Sequence, residues 1–255
     1  MGRIGGSPAG GLIGEPISPA PLRAVLHPAM RQNWRHLTFL HWRFDPSAIR
    51  PLVPPALELD LYDGAAWIGL VPFLIVDLTL PHAPALPWLS KFPETNVRTY
   101  VIDPEGARGV WFFSLDAARL LAVIGARTAY ALPYFWAKMR VERRGGLVRY
   151  TSERRHGPRA SSDIEVGIGE PVTSPSELEV FLTARFRLLA QRRERLLRAD
   201  ITHQPWPLQR ANVQHLKEDL LYAAGLPRID TAPLAHFTEG VDVMVGPPVA
   251  FAAIA

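Results

Sequence analysis

Proline and glycine recur along the whole chain, 25 and 19 times in 255 residues, and they leave few intervals long enough for an average helix. A proline inside a helix costs about 3 kcal/mol. The stretches between these breakers therefore decide the fold, and most alternate apolar and polar side chains with the period of two that a strand requires. Residues 34–44 alternate in this way, as do 57–61. Asp63-Gly64 then reads as a hairpin turn into 66–71, a segment apolar on both faces and so expected at the centre of a sheet. Residues 96–102 and 109–113 form a second pair about a turn at 104–107, and 134–143 and 147–155 a third about Arg144-Gly145-Gly146. Segments 164–168, 194–202 and 239–245 are further strands.

Helical signals are fewer. Asp45 is an N-cap with Pro46 at the first helical position. Ser114 is a cap for 115–129, where Leu115, Ala118, Ala122 and Ala126 fall at helical spacing. Ser174-Pro175-Ser176-Glu177 opens a helix to about 189, and 212–223 is read as a helix closed by Gly225. With no repeat and no internal boundary, the expectation is one α+β domain over 23–255, built on a large, mostly antiparallel sheet with flanking helices. Residues 1–22, rich in glycine, proline and alanine, are read as a flexible leader, and 81–92 as an ordered, proline-rich cover.

Hydrophobic residues at 48% and charged residues at 20% describe a globular chain. The absence of cysteine excludes disulfides, thiol nucleophiles and cysteine-ligated metals. The longest nearly uncharged apolar run, 65–76, falls short of the roughly twenty residues of a membrane span. The leader has no uninterrupted apolar stretch for an export signal, so the expected location is the cytoplasm, without membrane attachment. A net charge of +4 suggests nucleic acid at first sight. Its basic residues are 25 arginines and three lysines, however, and the densest runs, such as 191–195, are short and broken by acid. That pattern reads as a solvated face, with no nucleic-acid partner.

No phosphate loop, H-E-x-x-H or G-x-S-x-G pattern is present, and neither a metal nor a cofactor is expected. Two strand faces carry what chemistry there is. On 132–142, Trp136, Lys138, Arg140 and Glu142 share one face, which is either a solvent-facing edge or the inside of a curved sheet. In the second case Trp136 is a wall and Lys138 a functional amine, which a guanidinium cannot replace in a Schiff base. On 92–100, Glu94, Asn96, Arg98 and Tyr100 share a face that could bind a carboxylate or carbonyl and shuttle a proton, or simply be satisfied by neighbouring strands. Trp67, Trp88, Trp111 and Trp136 are candidates for an apolar pocket wall.

Several stretches make the chain familiar: Gln32-x-Trp34 through His41-Trp42, Leu57-x-Leu59-Asp60 to Gly64-x-x-Trp67, Val71-Pro72-Phe73, the whole of 92–100, 112–116, Leu132-Pro133-Tyr134 to Met139, and Pro205-Trp206-Pro207-Leu208. With them the chain resembles the YqjF-like bacterial family of unknown function, grouped with the acetoacetate decarboxylase-like superfamily. The resemblance implies a cone-like barrel of curved antiparallel sheet around an internal pocket. It also implies a small-molecule ligand that carries an oxo or carboxylate group. Catalysis would be of lyase type (decarboxylase, aldolase or dehydratase), and the alternative is a binding or sensing protein with the same pocket. Decarboxylases of the superfamily use a lysine Schiff base, and Lys138 stands where that lysine falls. Met139 occupies the place of their second lysine, leaving Arg140 to supply a cation, and Asn96 occupies that of an acid. The implied catalytic set is Lys138, Glu94 and Arg140, and the implied substrate-binding set Asn96, Arg98, Trp67, Trp136 and Tyr134. Homo-oligomerisation is left open.

Overall fold

The computed structural model describes residues 14–81 and 90–253. The first half of the expected leader, much of the proline-rich cover and Trp88 lie outside them. In chain order the elements are β1 (Met30–Phe44), α1 (Pro46–Ile49), β2 (Glu58–Leu59), β3 (Ala66–Thr79), β4 (Phe92–Ile102), β5 (Arg108–Ala117), α2 (Leu120–Tyr130), β6 (Tyr134–Arg144), β7 (Leu147–Arg154), β8 (Ser161–Pro171), α3 (Glu177–Thr183), β9 (Arg187–Arg192), β10 (Arg195–Thr202), β11 (Leu208–Glu218), α4 (Leu220–Ala223), β12 (Leu234–Val245) and β13 (Val249–Ala253). Residues 14–22, assigned to the leader from sequence, lie against the domain: Glu15 accepts the Arg108 backbone N–H and pairs with Arg187 at 2.5 Å.

The thirteen strands form one mixed, mainly antiparallel sheet that closes on itself because two of its strands fork. One edge of β5 pairs with β4 along its length. Its other edge is shared, with β9 at residues 110–111 and β6 at 115–117, both parallel. The free edge of β12 is shared likewise, by β11 at 236–238 and β10 at 244–245. The wall β5–β4–β3–β1–β12 thus belongs to two rings. One closes through β9 and β10; the other, of nine strands, closes through β6, β7, β8 and β11. Each face of the wall fills a different interior. Leu37, Phe39, Val71, Phe73 and Leu115 point into the first ring, and Leu40, Ile68, Leu70 and Val97 into the second. The second interior is packed with Val148, Tyr150, Ile164, Val166 and Phe237, and Ile49, Leu220 and Leu221 of the short helices join it.

Strict alternation would send Trp34 and Phe39 to opposite faces, yet both line the first ring. Bulges make this possible, each adding one residue and reversing the parity of the strand. In β1 the register slips between Arg35 and Leu40, with His36 at φ 48°. Opposite stands Gly240 at φ 127°, where a Cβ would fall 1.8 Å from the Trp34 carbonyl oxygen, so only glycine fits. A bulge in β3 near Asp77 (φ 54°) and another in β5 around Phe113 do the same.

These bulges account for several departures from the sequence reading. The helix expected over 115–129 begins at Leu120, because Ser114 to Ala117 complete β5 and Leu115 faces the first ring. Of the helix expected over 212–223, residues 212–218 belong to β11 and only Leu220–Ala223 is helical, as α4. A bulge at Gln214 separates Val213 from Leu216 by three residues and imitates helical spacing. The helix expected to reach 189 stops at Thr183, though its start is a full capping box between Ser176 and Glu179. The expected hairpin of 57–61 with 66–71 is also replaced: β2 pairs with β4, and only Tyr62 and Ala65 bridge across the Asp63-Gly64 turn.

Candidate functional site

The first ring encloses a cavity of about 320 Å³. Its shaft is apolar, with Trp34, Phe73, Phe92, Phe112 and Leu115 in the wall, and α2 covers one end with Ala122, Gly125, Ala126 and Ala129. Apart from Gln32 of β1, most of the polar lining gathers at the other end. Asn96 and Arg98 come from β4, Thr183 and Arg185 from the turn after α3, and Trp206 from the Pro205-Trp206-Pro207 segment.

Arg98 is only 8% exposed. Its Nη2 donates weakly to the Tyr100 hydroxyl (3.4 Å) and the Leu182 carbonyl (3.3 Å), while its Nε has no partner. Among the described residues no carboxylate lies within salt-bridge reach of it. Arg185, 6% exposed, is held from behind by Asp60 at 2.7 Å, which also takes Arg108. Its Nε and Nη2 are unpartnered, as are Asn96 Oδ1 and Trp34 Nε1. The two guanidiniums are further held by ring faces, Arg98 over Phe39 at 5.4 Å and Arg185 over Phe181 at 4.3 Å.

Among the described residues that line the cavity there is no carboxylate to supply a compensating negative charge. Glu94, two residues before Asn96, is buried, and burial pushes its carboxyl up to about 8, with the Asp116 charge adding to the effect. It accepts the Tyr134 hydroxyl at 2.8 Å. Burial and Glu94 in turn raise Tyr134 well above the phenol range. Tyr134 lines the cavity, so the pair forms a neutral hydrogen-bonded link between its wall and Glu94. Asp116 is neutralised by Arg154 at 2.9 Å in a buried pair. The two histidines near the polar end are uncharged at neutrality. Burial and Arg98 hold His41 well below the usual range, and burial brings His203 down to about 4.

The structure thus brings together Glu94, Asn96, Arg98 and Tyr134 of the sequence-derived set. It separates the rest. Lys138 and Arg140 are exposed on the outer face of β6, along an open groove with Glu142, Arg149 and Asp163. The fork explains why. Tyr134 lies where β6 still pairs with β5 and looks into the first ring, but after Trp136 the strand leaves β5, and β9 closes that ring instead. The same face of β6 is outside from Lys138 onward. The inward reading of the Trp136–Glu142 row is therefore corrected, and so is Lys138 as an internal amine. Lys91 and Lys217 are exposed as well. Trp136 is half-buried under Arg155 (5.0 Å), and Trp67 and Trp111 are also absent from the cavity wall. Among the described residues the tryptophans that line it are Trp34 and Trp206, stacked at 6.0 Å. Sequence reasoning missed these two, with Gln32, Thr183 and Arg185, as site residues, although Gln32-x-Trp34 and Pro205-Trp206-Pro207 were among the motifs that carried the resemblance.

Residues 31–242 match the family model DUF2071, described as an uncharacterized conserved protein. The chain is 40% identical over 220 residues to the uncharacterized protein YqjF of Bacillus subtilis, covering 86% of this chain and 90% of the relative. Among solved structures it is similar to the enduracididine biosynthesis enzyme MppR complexed with pyruvate, with a TM-score of 0.64 at 14% identity over 91% of this chain and 94% of that one. It is similar to acetoacetate decarboxylase from Legionella pneumophila to the same TM-score, at 15% identity over 92% and 93%. At such identities the likeness is one of fold, and the sheet is that of the acetoacetate decarboxylase-like proteins.

Proposed function

The chain belongs to the DUF2071 family, and we propose that it binds a small oxo- or carboxylate-bearing metabolite in the first ring and exchanges protons with it through Tyr134 and Glu94. The observation that carries this reading is Arg98. A buried guanidinium without a carboxylate partner costs several kcal/mol in desolvation, and an anionic guest supplies the missing charge. Arg185 gives further free N–H donors. The pyruvate complex of MppR is in keeping with an oxo acid as guest.

With every lysine on the surface, an imine to the chain has no place in the cavity. Acid–base chemistry remains. In the ionised form Glu94 accepts the Tyr134 proton as Tyr134 takes one from the carbon beside the guest's carbonyl. The enolate charge that results is stabilised by Arg98, Glu94 releases its proton to solvent, and a proton from solvent returns to the same carbon. Because Glu94 titrates near 8, this exchange should quicken from pH 7 to 9.

Calorimetry with butanoate, 2-oxobutanoate and butanamide tests the binding. Both acids should bind, the amide at least tenfold more weakly, and Arg98→Gln should weaken the acids by a similar factor. Equal affinity for acid and amide in the folded wild type refutes the site. Exchange of the C3 hydrogens of 2-oxobutanoate in D2O, followed by proton NMR, tests the chemistry; it should be lost in Glu94→Gln. The exposure of the lysines favours a second reading, a binding protein without turnover, and tight binding with no exchange in wild type would select it.

A further inference from the structure

The cavity has a direction. Arg98 and Phe92 both line it and stand six residues apart on β4, roughly 20 Å at about 3.3 Å per residue. Phe112 stands opposite Arg98 on β5, and the Phe39 ring lies under its guanidinium at 5.4 Å. Toward Phe92 the wall turns to Met30, Leu78, Leu80 and Leu121, with Gln32 as an uncharged polar side chain among them and no charged one. Leu80 and Leu121 are each about half exposed, 50% and 51%, so the cavity opens to solvent between β3 and α2. Leu120 and Ile124 continue this apolar surface on α2.

From this polarity we propose that the guest is an amphiphilic monocarboxylate, an acyl chain bound head-in, with its carboxylate at Arg98 and Arg185 and its tail pointing up the shaft toward α2. The proposal rests on the reading of Arg98 as the anion site and deepens it. A short, wholly polar oxo acid would leave most of the shaft without a partner, whereas an alkyl chain removes it from water. The volume sets the length: about 320 Å³ is about ten water volumes at about 30 Å³ each, room for a guest of about ten non-hydrogen atoms, the size of octanoate. The small side chains of α2 set the far end. Ala126 lines the shaft on α2, and enlarging it shortens the space without touching the arginines.

The test is calorimetry across the saturated series butanoate, hexanoate, octanoate, decanoate and dodecanoate, below their micellar concentrations. In wild type the affinity should rise about fourfold per added methylene, which is the factor equivalent to about 0.8 kcal/mol of buried CH₂. It should stop rising near octanoate. Ala126→Leu should move the break to hexanoate, and Arg98→Gln should lower the whole series in parallel. A flat series, with butanoate equal to octanoate in wild type, overturns the amphiphile and leaves the carboxylate site standing. A series in which no acid binds overturns both. Because the slope is read on wild type, the result does not depend on either variant folding.

Discussion

Glu94 should make the fold less stable as the pH rises, contrary to the usual behaviour of a buried, hydrogen-bonded carboxylate. Its ordinary value is 4.5 and burial raises it to about 8 in the folded state. Between those values the native chain retains a proton that the unfolded chain has released, so each pH unit costs about 1.4 kcal/mol of stability. The full stability contribution is present below about 4.5 and lost as the pH climbs through about 8. Summed over that window the loss approaches 5 kcal/mol, and relaxation around the site should leave about 2–4 kcal/mol of it. Glu94→Gln keeps the shape and the acceptor for Tyr134 but cannot ionise. The measurement is urea unfolding of both proteins at pH 5, 6, 7, 8 and 9. The stability of the variant relative to wild type should increase steadily from pH 5 to 8 and level off above. A difference that stays constant across the range would mean that Glu94 is ionised in the fold. Burial would then not hold its proton, and the rise in exchange rate expected between pH 7 and 9 would fail with it.

Lys138→Ala should leave thermal stability within about 0.5 kcal/mol of wild type, as for other exposed side chains, and borohydride treatment with pyruvate should leave the intact mass of the wild-type protein without an adduct at Lys138. Asp60→Ala removes the carboxylate that orients Arg108 and Arg185. It should cost about 3–5 kcal/mol in urea unfolding and weaken octanoate binding, and a loss below 1 kcal/mol would contradict the role given to this pair. Gly240→Ala sets a Cβ against the Trp34 carbonyl at a φ that disfavours side chains. Unfolding should show a loss of several kcal/mol, and a neutral result would remove the account of the β1 bulge.

Much of the sheet was legible in the sequence because alternation and turn chemistry agree over most strands. The strand pair around Arg144-Gly145-Gly146 and the central position of β3 followed from period and turn residues alone. What was illegible has a common physical origin. A bulge reverses which residues share a face, so Leu115 fell into a helical spacing it does not obey in space. A fork changes what a face looks at without changing its side chains, and this misplaced Lys138. Nothing within residues 134–142 says that β6 abandons β5 after three residues. The row Glu94, Asn96, Arg98 and Tyr100 was read correctly as one face because β4 keeps its own parity while the extra residue falls in β5. Arg185 and Trp206 come from connections outside regular strands, where periodicity carries no information about direction.

The central claim is that the first ring holds a carboxylate at Arg98 and Arg185 with its tail toward α2. A crystal structure with 8-bromooctanoate, read by the anomalous scattering of bromine, tests it most directly. The claim predicts a bromine peak inside the apolar shaft on the Phe92 side of the arginines, with the carboxylate oxygens within hydrogen-bond distance of both guanidiniums. A bromine peak beside Arg98, or one in the open groove along Lys138 and Arg140 with the ring empty, would contradict it.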